Sequence, residues 1–179
     1  ELTVQPDKDG WALRALVFQN QASMGVYRTA IARALATGGV PDIRADDRPG
    51  RKKYGFGLNG ELPLADDGDT GLFMRAGWND GRNESFAFTE VDRTLSGGFQ
   101  LSGAHWGRKQ DHFSVGVAIN ALSSPHREYL ERGGSGFVLG DGALNYGREQ
   151  IVEAYYSFVP FEHLTLSPDF QFVRHPGYN

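Results

Sequence analysis

The sequence predicts an all-β fold: an antiparallel, up-and-down meander of about seven strands, part of a transmembrane β-barrel of the outer-membrane type. Three observations predict it. Short stretches alternate apolar and polar residues, as in Phe113-Ser-Val-Gly-Val-Ala-Ile-Asn-Ala121. Successive side chains on a strand point to opposite sides, so this stretch has one greasy and one small-polar face. The stretches have about the 9–11 residues that a tilted strand needs to cross a bilayer. Their connections run long, short, moderate, short, long, short, which suits a barrel with tight turns at one end and long loops at the other.

The elements follow in order. A first strand is expected over residues 11–19, after the turn-forming Pro6-Asp-Lys-Asp-Gly10. The long connection to residue 52 holds a short helix over residues 24–36, where Tyr27, Ile31 and Leu35 recur at i, i+4 and i+8. The second strand spans residues 53–62, with Tyr54, Phe56, Leu58 and Leu62 on one face and Lys53, Gly55, Gly57, Asn59 and Glu61 on the other. A turn rich in Asp, Gly and Pro over residues 63–69 leads to a third strand, residues 71–79. There Leu72, Met74, Ala76 and Trp78 face out, and Arg75, Gly77 and Asn79 face in. The fourth strand covers residues 89–103 and the fifth residues 111–121, joined by a turn over residues 106–111. A second long loop, residues 123–147, follows. The sixth strand, residues 148–159, places Val152, Ala154, Tyr156 and Phe158 outside and Glu153, Tyr155 and Ser157 inside. The seventh, residues 164–173, places Leu164, Leu166, Phe170 and Phe172 outside and Thr165, Ser167, Asp169 and Gln171 inside.

Aromatic residues gather at the strand ends. Tyr54, Trp78 and Phe172 fall towards the long loops, and Trp11, Phe113 and Phe158 towards the short turns. Two such belts are what the two interfaces of a bilayer favour. A soluble antiparallel sandwich shows the same alternation, but it has shorter strands and no reason to sort its loops by end.

Composition narrows the rest. The chain has 179 residues, of which 24 are glycine and none is cysteine. Disulfides, thiolate metal sites and cysteine nucleophiles are excluded. With 18 basic and 22 acidic residues the net charge is −4, and Arg51-Lys-Lys53 is too short a basic cluster to suggest nucleic acid. Mean hydropathy is −0.43, and no run approaches the roughly 20 apolar residues of a membrane helix. The opening Glu1-Leu-Thr-Val has no signal-peptide pattern, so the chain reads as part of a longer one.

Several segments resemble the carbohydrate-selective porins of the OprB family. They are Tyr54-Gly-Phe-Gly-Leu-Asn-Gly-Glu-Leu-Pro-Leu64, Gly71-Leu-Phe-Met-Arg-Ala-Gly-Trp-Asn-Asp-Gly-Arg82 and Glu84-Ser-Phe-Ala-Phe-Thr-Glu-Val-Asp92. Leu139-Gly-Asp-Gly-Ala-Leu-Asn-Tyr-Gly147, Glu153-Ala-Tyr-Tyr-Ser157 and Leu166-Ser-Pro-Asp-Phe-Gln171 belong with them. The resemblance covers nearly the whole chain. It implies that residues 1–179 are the C-terminal portion of a single porin-type barrel domain, short of the family's closing strand after Pro176-Gly-Tyr-Asn179. It also implies passive diffusion of glucose and related sugars across the Gram-negative outer membrane, without enzyme activity or cofactor. The implied partners are sugars in transit, outer-membrane lipid, the barrel-assembly machinery and a possible homo-oligomer.

A channel wall needs groups that replace a sugar's hydration, and side chains that donate and accept hydrogen bonds suit hydroxyls. The inward candidates are Arg75, Asn79, Glu153, Tyr155, Asp169, Gln171, Asn59 and Glu61. If the helix near residues 24–36 folds inward, Arg28 and Arg33 are the constriction candidates. Each of these residues is more often plain wall filling than a sugar ligand. His112-Phe-Ser114 is a weak base–nucleophile pattern that a barrel lipid hydrolase would use. Asp66-Asp-Gly-Asp69 lacks the spaced ligands and distal Glu of a calcium loop, and the five histidines show no metal-ligand spacing.

Overall fold

The alternation plays out as one continuous antiparallel sheet. The computed structural model describes residues 1–85 and 89–179. Its strands are β1 (Leu2–Val4), β2 (Ala12–Met24), β3 (Arg48–Ala65), β4 (Thr70–Asn79), β5 (Arg93–Ser102), β6 (His112–Ala121), β7 (Glu149–Phe161), β8 (Leu164–Leu166) and β9 (Asp169–Arg174). Each pairs with the next up to β8, and β9 returns to pair with β7. Among the described residues two α-helices interrupt the meander, α1 (Tyr27–Thr37) and α2 (Ser124–Glu131), both at the end where the connections are long.

Cross-strand register decides the faces. Phe56 opposes Trp78, Leu72 opposes Phe99, and Val117 lies between Gly97 and Val152. These residues share the outer face, and it stays bare: Val17 is 79 % exposed, Phe170 66 % and Met74 58 %. The sandwich alternative required this face to be buried under a second sheet, and the single open sheet overturns it. Near the long loops, Phe56 and Trp78 stack with centroids 5.5 Å apart. Near the short turns, Phe99 meets Phe113 edge-on at 6.2 Å, and the Trp106 indole N–H donates to the Tyr156 hydroxyl at 2.8 Å.

Boundaries differ from expectation for local reasons. The second strand starts at Arg48 rather than residue 53, because β3 keeps pairing with β2 as far as Met24↔Arg48. Arg51 and Lys52 therefore lie on strand, with Lys53, rather than in the loop before it. Charge does not stop a ladder whose end projects past the lipid. The fourth strand starts at Arg93 rather than residue 89, because Glu90 and Asp92 turn away into a buried network. The expected seventh strand is split into β8 and β9 at Ser167-Pro168, where proline has no N–H for the ladder. With the short β1 added, the meander has nine strand segments rather than about seven.

The first helix starts at Tyr27 rather than residue 24, because β2 runs on to Met24, and it ends at Thr37 before a left-handed Gly38. The second was not anticipated. Its signals were present: the Ser123 hydroxyl accepts from the His126 N–H as an N-cap, and Pro125 sits in the first turn. The turn between β5 and β6 is shaped by Gly103, where a Cβ would lie 2.0 Å from the Arg108 carbonyl. Residues 86–88, in the middle of the segment from Glu84 to Asp92, lie outside the described residues.

Candidate pore wall and loop cap

Two regions carry the chemistry: the inner face of the sheet, opposite the aromatic belts, and the compact cap formed by the long loops. On the inner face, pairing sets residues in rows across the strands. One row runs Arg14, Asn59, Arg75, Ser96, Ala118, Ile151. The next runs Glu61, Phe73, Gly98, Gly116, Glu153, Gln171. A third brings Ser114, Tyr155 and Asp169 together.

The expected inward residues fall on this face, but they are engaged differently. Glu61 is ion-paired with Arg14 at 2.9 Å. Gln171 donates to Glu153 at 2.8 Å. The Arg75 guanidinium lies 5.6 Å from the centre of the Phe73 ring, a cation–π distance. Asn59 Oδ1 is buried with no hydrogen-bond partner among the described residues. Asn79 is tied up at the rim, donating to the Val91 carbonyl at 2.8 Å and accepting from the Gly81 N–H at 2.9 Å. Arg28 and Arg33 lie exposed on α1, and Arg33 reaches back to Asp46 at 3.9 Å.

His112 and Ser114 do share the face, yet they do not form a pair. The Ser114 hydroxyl donates to Gln100 Oε1 at 3.4 Å, and His112 Nε2 approaches Asp69 at 3.8 Å. Asp66 is likewise committed, accepting from the Thr70 hydroxyl at 2.6 Å and lying 3.0 Å from His105 Nε2.

Apolar residues also point inward where alternation gave no sign of them, among them Leu16, Phe18 and Phe73. The signal that finds the two phenylalanines is glycine. A Cβ at Gly55 would lie 2.3 Å from Phe18 Cζ, and one at Gly98 would lie 2.8 Å from Phe73 Cε1. Each ring occupies space that only a bare backbone leaves.

The cap holds a conventional core. Tyr27, Ala30 and Ile31 of α1 pack with Ile43, Leu122, Tyr129, Leu130 and Tyr178. Tyr129 also bridges loops, accepting from the Ile43 N–H at 3.2 Å and donating to the Ser135 carbonyl at 2.9 Å. Burial pushes the Tyr27 hydroxyl well above the ordinary phenol range and raises that of Tyr129.

Beneath this core lies a buried polar hub centred on Asp92. Its carboxylate accepts from the Ser123 N–H at 2.9 Å and lies 2.9 Å from His126 Nδ1. Lys53 stands 3.8 Å away, and Glu90 lies 3.8 Å from the other ring nitrogen of His126. Tyr27 stacks on the imidazole at 4.3 Å. Burial acts to raise the Asp92 carboxyl, but the hydrogen bond and charge of His126 and the Ser123 N–H outweigh it, so its pKa lies below the usual carboxylate range. Glu90 accepts from the Val138 and Leu139 N–H groups at 3.0 and 2.7 Å. At the opposite end Asp111 clamps a turn: Arg108, the Tyr156 hydroxyl at 2.7 Å and the Val159 N–H at 2.9 Å all donate to it. The Arg108 hydrogen bond holds this carboxyl far below its ordinary range.

A meander with a bare aromatic-belted face, a polar face behind it and all long loops at one end is the wall of an outer-membrane β-barrel. The family model for the carbohydrate-selective porins, OprB family, matches residues 12–179, and the chain belongs to that family. The solved structure of Pseudomonas putida OprB at high pH is similar with a TM-score of 0.70 and 19 % identity, over 93 % of this chain and 40 % of that one. The chain therefore spans well under half the length of the structure it matches. No curated protein sequence matches it.

Proposed function

We propose that this chain is the C-terminal portion of a single barrel domain whose intact form lets carbohydrates, glucose and related sugars among them, diffuse passively into the periplasm. The observation that carries the reading is the sorting of the sheet's two faces. One is greasy and belted. The other bears Arg14, Asn59, Glu61 and Arg75 on β2–β4 and Glu153, Tyr155, Asp169 and Gln171 on β7 and β9. Such a face exchanges hydrogen bonds with sugar hydroxyls as water is shed. Arg28 and Arg33, carried to the loop end by α1, are the groups proposed to narrow the mouth. Transport uses no cofactor and no covalent chemistry. Partners are the sugar in transit, lipid against the belts and the machinery that inserts barrels, and the same outer face suits a homo-oligomer; no nucleic acid is involved.

The test is sugar uptake by liposomes carrying the intact barrel. Glucose influx is expected, and it is expected to fall in Arg75→Ala and Glu153→Ala. Unchanged flux and selectivity in both variants would remove these two residues from the path, and an intact barrel impermeable to sugars would reject the function. Esterase activity lost on Ser114→Ala would turn the reading towards a lipid hydrolase.

A further inference from the structure

The inner face is not uniform, and one depression in it has the makings of a site. A cleft of about 350 Å³ opens over the β5–β6–β7 part of the wall. Its floor is low because Ser96, Ser114, Gly116 and Ala118 are small. Phe73 bounds one side, and Glu153 and Tyr155 the other. The phenyl ring rests on the Gly98 backbone, where a Cβ would come within 2.8 Å of Cε1, and its tip reaches towards Gly116. Arg75 stands behind it, 5.6 Å from the ring centre. Phe73 itself lines the cleft, and Arg75 lies outside that lining.

A phenyl left only partly buried on the face that meets water forgoes some of the burial that normally stabilises such a ring, by about 25 cal/mol for each Å² left wet. On this wall the greasy residues otherwise belong mostly outside. A flat apolar ring beside hydroxyl-binding groups matches a molecule that is itself two-sided: a pyranose, with hydroxyls at its edge and C–H groups on its face. The polar side is already set. Gln171 occupies one oxygen of Glu153 and leaves the other for a hydroxyl. Ser114 and the Asp69 carbonyl fix the Gln100 amide at 3.4 and 3.1 Å.

We propose that this cleft is a docking subsite for the pyranose ring of a neutral sugar, with Phe73 taking the C–H face and Glu153 and Tyr155 the hydroxyls. The inference rests on the sugar-channel reading above and locates a pause on the path. Phe73 is the specificity-determining residue: it distinguishes a closed ring from an open-chain polyol with the same number of carbons, which has no rigid apolar face.

The experiment measures glucose- and sorbitol-induced current block by the intact channel in planar bilayers. It compares the unaltered protein with Phe73→Leu and Gly116→Leu. Leucine at position 73 keeps apolar volume but removes the flat face; leucine at 116 fills the cleft. Gly116→Ala is the mild control for folding, since its methyl would sit 3.9 Å from Phe73 Cζ with nothing closer. Half-saturation by glucose is expected to rise roughly 3- to 10-fold in both leucine variants, about the strength of one aromatic ring interaction. In Phe73→Leu, sorbitol half-saturation is expected to shift less than glucose half-saturation. Glucose half-saturation unchanged in both variants overturns the subsite and leaves the sugar channel standing. An unaltered channel with no response to glucose overturns the channel reading, and the subsite with it.

Discussion

In the loop cap, Tyr27, Tyr129 and Leu130 are each 1 % exposed; on the outer face of the wall, Leu95 is 52 % exposed and Val117 50 %. The same residue classes are used in both places, but the surroundings differ. The cap closes α1 and α2 on each other and buries charge beneath them, as a small water-soluble domain does. The wall buries almost nothing within the chain and leaves its apolar side for acyl chains. Cap stability is therefore a matter of protein–protein packing, whereas wall stability depends on backbone pairing and on the medium outside. The polar residues differ in the same way. Asp92 and His126 are fully buried and partner each other, while Arg14 and Glu61 pair in partial contact with water.

The largest test of this contrast is Asp92→Ala. It leaves Lys53 and His126 buried without their shared carboxylate, which costs about 3–5 kcal/mol. The cap is expected to loosen while the wall persists, seen as faster amide exchange in residues 24–47 and 123–147 and unchanged exchange in β4–β6. Equal acceleration in both regions would show that cap and wall are one cooperative unit. Next is the wall itself. Val117→Arg, at mid-strand on the outer face, is expected to destabilise the inserted barrel by roughly 2–4 kcal/mol. Ser96→Arg, on the opposite face, is expected to leave folding near normal. Urea unfolding from bilayers measures both, and a reversed order would mean the faces have been assigned backwards.

A smaller effect comes from pH. Asp46 is held low chiefly by its hydrogen bond from Arg51, with the charges of Arg48 and Arg33 adding to it, and Asp92 is also depressed. A carboxyl whose folded pKa is depressed contributes stability that is complete above its unfolded value and lost as pH falls through the folded one. Limited proteolysis of the cap should therefore be flat from neutral pH down to about 5 and accelerate below about 4. Acceleration that begins between pH 7 and 6 would point to a different group. The smallest effect expected is for Arg14→Ala. Its pair with Glu61 is half exposed, so the loss, read from the same urea unfolding, is about 0.2–1 kcal/mol and shrinks further in salt.

The sequence by itself determined the strands, their faces and the two ends, because a period of two and the placement of turn formers are local properties. Tyr54, Phe56 and Leu58 had to share a side once β3 was a strand, and glycine-rich segments had to be turns or close approaches. It also carried the start of α2, in the N-cap Ser123 and the first-turn Pro125. Tertiary structure alone decided which distant residues meet. Asp92 comes from the loop before β5, His126 from α2, Lys53 from β3 and Tyr27 from α1, with no common spacing, so their hub has no linear signature. The phenyl ring of Phe73 is equally silent: in the sequence it interrupts the polar parity of its strand, and only the register that lays Gly98 and Gly116 beside it turns the interruption into one side of a cleft. Periodicity is written into a single strand, whereas a site depends on alignment across strands, and that alignment is set by turns, bulges and loop packing together.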